Sequence, residues 1–183
     1  MNLIDILMKI AIHIFGFLLM FLISACVETG QNTDAEGQNI LEMHATDMEI
    51  PQPVFCDTVY VPIYSEIYSQ TKDTKFLLTA TLSIRNTSMT NPIFLSTIDY
   101  YNSAGELVRK YLDKNISLKP LETIDYVIEE DDISGGTGAN FIIIWSARKM
   151  DLKPVFQGVM ISTNGQQGIS YITNGVSIKQ NKN

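Results

Sequence analysis

The stretch KFLLTATLSIRNTS, residues 75–88, decides the fold. In it Phe76, Leu78, Ala80, Leu82 and Ile84 alternate with Leu77, Thr79, Thr81, Ser83 and Arg85. A period of two places one apolar row on one face of an extended chain, which marks a half-buried strand and not a helix. The run ends at Asn86, Thr87 and Ser88, and Thr90, Asn91 and Pro92 follow, a cluster of turn formers.

The same texture continues in both directions. Upstream, VYVPIY (residues 59–64) is β-branched and aromatic, and Pro62 assigns it to an edge or a bulge because proline donates no ladder hydrogen bond. Downstream, residues 93–112 read as two strands joined at Asn102-Ser103-Ala104-Gly105, with Gly105 supplying a positive φ. A turn at Lys119-Pro120 precedes a strand in which Ile124, Tyr126 and Ile128 share a face. From Phe141 to Trp145 the chain is continuously apolar, which predicts a central strand covered on both faces. Two last strands, VFQGVMIST (residues 155–163) and GISYITNGVSI (residues 168–178), are separated by Asn164-Gly165.

No convincing amphipathic helix interrupts this series. The expectation is therefore an all-β protein, an immunoglobulin-like antiparallel β-sandwich of about seven to nine strands, with a small β-barrel as the alternative. The 93–112 hairpin would lie in one sheet and Trp145 in the core.

The N-terminus has a different composition. A short start containing Lys9 leads into an almost wholly apolar run, residues 10–25, and then Ile23-Ser24-Ala25-Cys26. This is the layout of a secretory signal with a small-residue cleavage zone. Its ending resembles a bacterial lipobox, in which the cysteine thiol takes a diacylglycerol as a thioether and becomes the new N-terminus. Residues 1–25 are then signal peptide, Cys26 the lipidation site, and 26–53, polar, acidic and closed by Pro51 and Pro53, a flexible tether. Residues 54–178 would form the β-domain and 179–183 a disordered tail. With Cys26 acylated, Cys56 has no intrachain partner and is expected as a small buried hydrophobe.

Charge and composition exclude several functions. The 183 residues carry a net charge of -7 and no basic stripe, which argues against nucleic acid as a partner. Beyond the signal, His44 is the only histidine and lies in the tether, so Ser/His chemistry has no base. No cofactor fingerprint is present. No catalytic residue, metal site or cofactor is expected, and the chain reads as non-catalytic.

Two features suggest binding instead. Tyr100, Tyr101 and Tyr111 lie on or beside the 93–112 hairpin, where exposed tyrosines supply contact area for proteins or glycans; alternation sends Tyr100 and Tyr101 to opposite faces. In EEDDISGGTGAN, residues 129–140, Asp131, Asp132 and Asn140 offer oxygens of the kind Ca2+ takes, although the spacing is not that of an EF-hand. A small hydrolase using this loop is a further alternative. Gln166 and Gln167 could belong to a recognition loop.

At TATLSIRNTS, DYYNSAGELVRKYLDK, SGGTGANFIIIWS and QQGIS the chain resembles the bacterial domain-of-unknown-function family 3124 (DUF3124). The resemblance spans residues 58–172. It implies secreted or lipid-anchored proteins without an assigned activity, so the chain is expected to be an uncharacterised envelope lipoprotein. Such a protein meets the membrane through its lipid and another envelope protein or a glycan through its domain, from the periplasmic face of the outer membrane if the cell is Gram-negative.

Overall fold

The computed structural model describes residues 55–163 and 168–182, and these are all β apart from turns and one short 3-10 segment at Gly136–Gly138. The strands are β1 (Phe55–Ile63), β2 (Glu66–Ser69), β3 (Thr71–Leu77), β4 (Thr79–Arg85), β5 (Ile93–Tyr101) and β6 (Leu107–Lys110). They continue with β7 (Ile116–Leu118), β8 (Thr123–Ile128), β9 (Ala139–Ala147), β10 (Val155–Ser162), β11 (Ile169–Asn174) and β12 (Val176–Lys182). One sheet has the order β12-β1-β9-β5-β6, with β7 also pairing β5; the other has the order β11-β10-β4-β8. All pairings are antiparallel, and the sheets do not close into a barrel. The fold is the expected β-sandwich.

The strand count exceeds the expectation because β2 and β3 form a separate two-stranded hairpin and the short β7 follows β6 along the same side of β5. The alternating run that opened the reading is divided at Leu78. Before it, β3 pairs only with β2; after it, β4 lies between β10 and β8. Leu78 remains buried, and its N–H donates to the Ser65 carbonyl at 2.9 Å.

Alternation fills the core. The inward row of β1 supplies Val59, Val61 and Ile63, β4 supplies Ala80, Leu82 and Ile84, and β9 supplies Phe141, Ile143 and Trp145. At one end Tyr100 packs on Phe141 with ring centroids 5.0 Å apart, and Tyr111 stands edge-on to Tyr126 at 4.8 Å. The loop carrying the turn formers is held by Asn86, whose amide donates to the carbonyls of Asn91, Leu118 and Lys119 at 2.8, 3.1 and 2.9 Å. Gly105 adopts φ +79°, as its turn requires.

Four expectations are corrected. First, Pro62 does not put β1 as a whole at an edge: β1 lies between β12 and β9, and only its stretch after Tyr60 is free of β12. Pairing with β12 stops at Tyr60, and the Pro62 carbonyl accepts from the Thr173 hydroxyl at 2.6 Å. A residue's N–H and C=O point to the same side of a strand, so the hydrogen that proline lacks falls where no ladder partner remains. Second, β9 is not covered on both faces from Phe141 to Trp145: Ile142 and Ile144 are half-buried on the outer face, beside Tyr60 and Asp99, and Thr58 and Thr97. Third, residues 179–182 are not a tail but the end of β12, pairing with the start of β1 from Thr58 back to Phe55. Their backbone satisfies the exposed edge of β1, which needs no hydrophobic pattern. Fourth, Cys56 is half-buried on the outer face, because Phe55 and Asp57 hold the inward positions of that strand. The expected signal and tether, residues 1–53, lie outside the described residues.

One chain segment serves both sheets. β11 pairs with β10, the chain passes through Gly175, and β12 pairs with β1. The Gly175 N–H donates to the Phe156 carbonyl at 2.8 Å. A Cβ at this residue would stand 2.7 Å from Val59 Cγ1 and 2.9 Å from Phe156 Cβ. Gly175→Ala is therefore expected to cost about 1–3 kcal/mol through overpacking, read as a lower urea midpoint; an unchanged midpoint would contradict the close approach.

The aromatic end of the core generates a second expectation. Burial pushes the Tyr100 hydroxyl from 10.0 up to about 12, with the Ser65 hydroxyl pulling the other way, and burial raises Tyr126 as well. Below pH 10 both hydroxyls are protonated in either state and contribute no pH dependence. As pH rises from 10 towards 12 the unfolded chain ionises first, so stability falls. Tyr100→Phe should make this alkaline decline shallower in denaturation midpoints measured on both sides of pH 10.

Candidate functional site

The expected binding residues are placed as follows. Tyr100 is fully buried against Phe141 and is a core side chain, while Tyr111 is half-buried and packs on Tyr126 and Phe141 at the margin of the core. The reason is period two in β5, which turns Tyr100 inward, and the chain after β6, which folds Tyr111 back so that its N–H donates to the Ile98 carbonyl at 2.9 Å. Tyr101 and Asn140 are half-buried register partners on the outer face of the larger sheet. The tyrosines thus form no exposed aromatic patch. Cys26, Gln166 and Gln167 lie outside the described residues.

The acidic loop is a clamp on the β5–β6 turn. Asp132 accepts from the Ser134 backbone N–H at 3.1 Å and from the Ser134 hydroxyl, and pairs with Arg109 Nη2 at 3.1 Å. Arg109 Nη1 donates to the Tyr111 hydroxyl at 3.0 Å. Burial raises the Asp132 carboxyl pKa, but the Ser134 hydrogen bonds and the Arg109 charge outweigh it and hold the group below its ordinary value. Ser103 completes the clamp: its hydroxyl donates to the Gly135 carbonyl at 3.0 Å and accepts from the Gly138 N–H at 2.8 Å. Glu129, Glu130 and Asp131 stay exposed. Among the described residues no three His, Cys, Asp or Glu side chains converge as a metal site, so the loop's carboxylates do not form a Ca2+ cage.

A different site opens between the sheets, beneath the Gly175 crossing. There β1 places Phe55 and Asp57 on its inward row, two residues apart. Across the larger sheet Asp57 is in register with Trp145 of β9 on one side and with Gln180 of β12 on the other. Phe156 of β10 faces them from the smaller sheet, and the β9–β10 connection adds Met150, Leu152, Lys153 and Pro154. Together these side chains line a cavity of about 360 Å3. That volume lies within the range of small-molecule sites.

The cavity has aromatic walls and one buried charge. Phe55 and Trp145 have ring centroids 5.3 Å apart, and Trp145 and Phe156 are 6.1 Å apart. Asp57 is 5% exposed. Its Oδ1 accepts from the Ser177 hydroxyl at 2.7 Å, and Ser177 Oγ accepts from Gln180 Nε2 at 3.1 Å. These bonds fix the carboxylate without neutralising it. Among the described residues no Lys, Arg or His forms an ion pair with Asp57. Lys153 stands exposed at the cavity's rim, and the indole N–H of Trp145 has no hydrogen-bond partner. A buried carboxylate without a cation is costly unless hydrogen bonds satisfy it.

Sequence reading missed this site because its members are distant in the chain and individually ordinary. One signal was available. In FCDTVYVPI, residues 55–63, strict alternation puts Asp57 in the same row as Phe55, Val59, Val61 and Ile63, a carboxylate where an apolar residue belongs.

A model of the family described as "Protein of unknown function (DUF3124)" matches residues 56–178. No curated protein matches the chain. Among solved structures, that of Thermotoga maritima 1070 aligns at 11% identity, covering 66% of this chain and 92% of that one, with a TM-score of 0.38. The family match covers the sandwich apart from Phe55 and residues 179–182 of β12. The chain belongs to the DUF3124 family of proteins of unknown function.

Proposed function

We propose that this protein is a non-catalytic binding protein of the bacterial envelope, held at a membrane by a lipid on Cys26 and presenting its β-sandwich on the tether of residues 26–53. The observation that carries the binding reading is Asp57: an ionisable side chain, in a core-facing row, on the wall of a cavity large enough for a small ligand. A carboxylate at that position contributes nothing to an apolar core; Ser177 supplies it with one hydrogen bond, and a ligand of complementary charge would supply the rest.

The non-catalytic part of the reading is supported by the side chains that surround the cavity. Ser177 donates to Asp57 and accepts from Gln180, and among the described residues no histidine or lysine is hydrogen-bonded to it as a base. A two-carboxylate mechanism needs a second acid or base at a defined separation, and Asp57 is the only carboxylate among the lining residues.

The anchoring reading is supported by the apolar run ending in Ile23-Ser24-Ala25-Cys26. A thioether lipid with further acyl chains holds a protein at a bilayer, and the polar segment that follows is long enough to keep the folded body clear of it. In the native host, mature protein is expected to begin at Cys26, carry added acyl mass and partition into the detergent phase. Cys26→Ser should abolish both the acyl mass and the partitioning. A mature chain that keeps residues 1–25 and bears no lipid would overturn the anchor.

A further inference from the structure

We infer that the cavity at Asp57 is a site for a small organic ammonium compound, whose charged nitrogen sits beside the carboxylate and against the rings of Phe55, Trp145 and Phe156. The inference deepens the binding reading above and rests on it.

The chemistry follows from what the cavity offers and what it withholds. Its buried charge is a single carboxylate, 5% exposed and held in place by Ser177. A cation is the ligand group that removes the cost of that burial, because opposite charges interact far more strongly in a partly desolvated site than in water. An inorganic cation fits poorly. Ca2+ or Mg2+ takes six or more oxygens, and Asp57 is the only carboxylate among the residues lining the cavity. The surrounding surface is aromatic and aliphatic, which suits an ion that carries its charge on an apolar body. Quaternary and substituted ammonium groups are of this type, and aromatic faces attract them through the ring quadrupole.

Geometry supports the same class. The rings of Phe55 and Phe156 approach Trp145 from the two sheets, with centroid separations of 5.3 and 6.1 Å, so three aromatic side chains form one cluster in the cavity lining. Asp57 lies on the strand of Phe55 and in register with Trp145, which places the acid and those two rings on the same wall, opposite Phe156. Lys153 at the rim is exposed and makes no ion pair with Asp57, so the protein does not fill the position with its own ammonium. A sugar is less well matched. It would need several free polar side chains, whereas Ser177 is already bonded to Asp57, and Gln180 to Ser177.

Trp145 is the only tryptophan in the chain and lines the cavity, so its fluorescence reports occupancy without a label. The full-length protein would be titrated with choline, with dimethylbutanol as the uncharged carbon isostere of choline, and with glucose, at constant ionic strength. Melting temperature would be followed alongside. Choline is expected to give a saturable change in Trp145 emission and to raise the melting temperature. The isostere should bind at least about ten-fold more weakly, and Asp57→Asn should weaken choline by a similar factor. Equal binding of choline and dimethylbutanol, or binding of glucose alone, would overturn the ammonium assignment and leave a binding protein of another specificity. No saturable response to any probe in either readout would overturn the assignment and count against the binding reading as well. If Asp57→Asn does not fold, the comparison of choline with its isostere on the native protein decides alone.

Discussion

The passage of the chain from one sheet to the other at Gly175 is the constraint around which the structure is arranged. Strands β11 and β12 are consecutive, yet they belong to opposite layers, and the only residue between them has no side chain. Because Val59 and Phe156 close in on this point from the two sides, the sheets are drawn together along β1 and β10. The Thr173 hydroxyl, bonded to the Pro62 carbonyl, ties the layers again a short distance away. Below the crossing the layers are no longer pinned, and the space that opens there is the Asp57 cavity. Fold closure and site are thus two consequences of one close backbone approach.

Much of the architecture was legible in the sequence because period-two alternation is a local signal. The face of β4, the turn at Gly105, the pairing of β5 with β6 and the burial of Trp145 all follow from residues within a few positions of each other. What was not legible depends on where strands end relative to their neighbours. Pro62 reads as an edge residue, and only the early departure of β12 shows how a proline sits in an interior strand. Polar residues 179–182 read as a tail, because a strand that completes an edge through its backbone has no hydrophobic row to announce it. The apolar run of β9 suggests cover on both faces, while the outer face is shielded by the side chains of neighbouring strands alone.

The site was less legible than the fold for the same reason. Tyr100 and Tyr111 attract attention as neighbours of an exposed turn, but burial depends on which face alternation selects and on how the chain folds back after β6. Asp132 looks like part of an acidic binding loop and instead has its oxygens engaged by Ser134 and Arg109. Asp57 looks unremarkable within its strand until the inward row is written out. Its partners come from β9, β10 and β12, and no spacing in the sequence brings those together.

The edge at β8 has a consequence for how copies of this molecule behave when crowded. β8 closes the smaller sheet, so one side of its backbone faces outward without a ladder partner. A bare edge invites pairing with the same edge of a second molecule. Here the outward residues include Asp125, and the chain runs directly from the strand into Glu129, Glu130 and Asp131, all exposed. Two such edges brought together antiparallel would set carboxylates against one another along the seam, and the net charge of -7 adds to their repulsion. Charge placed there opposes the joining of two such edges into one continuous sheet.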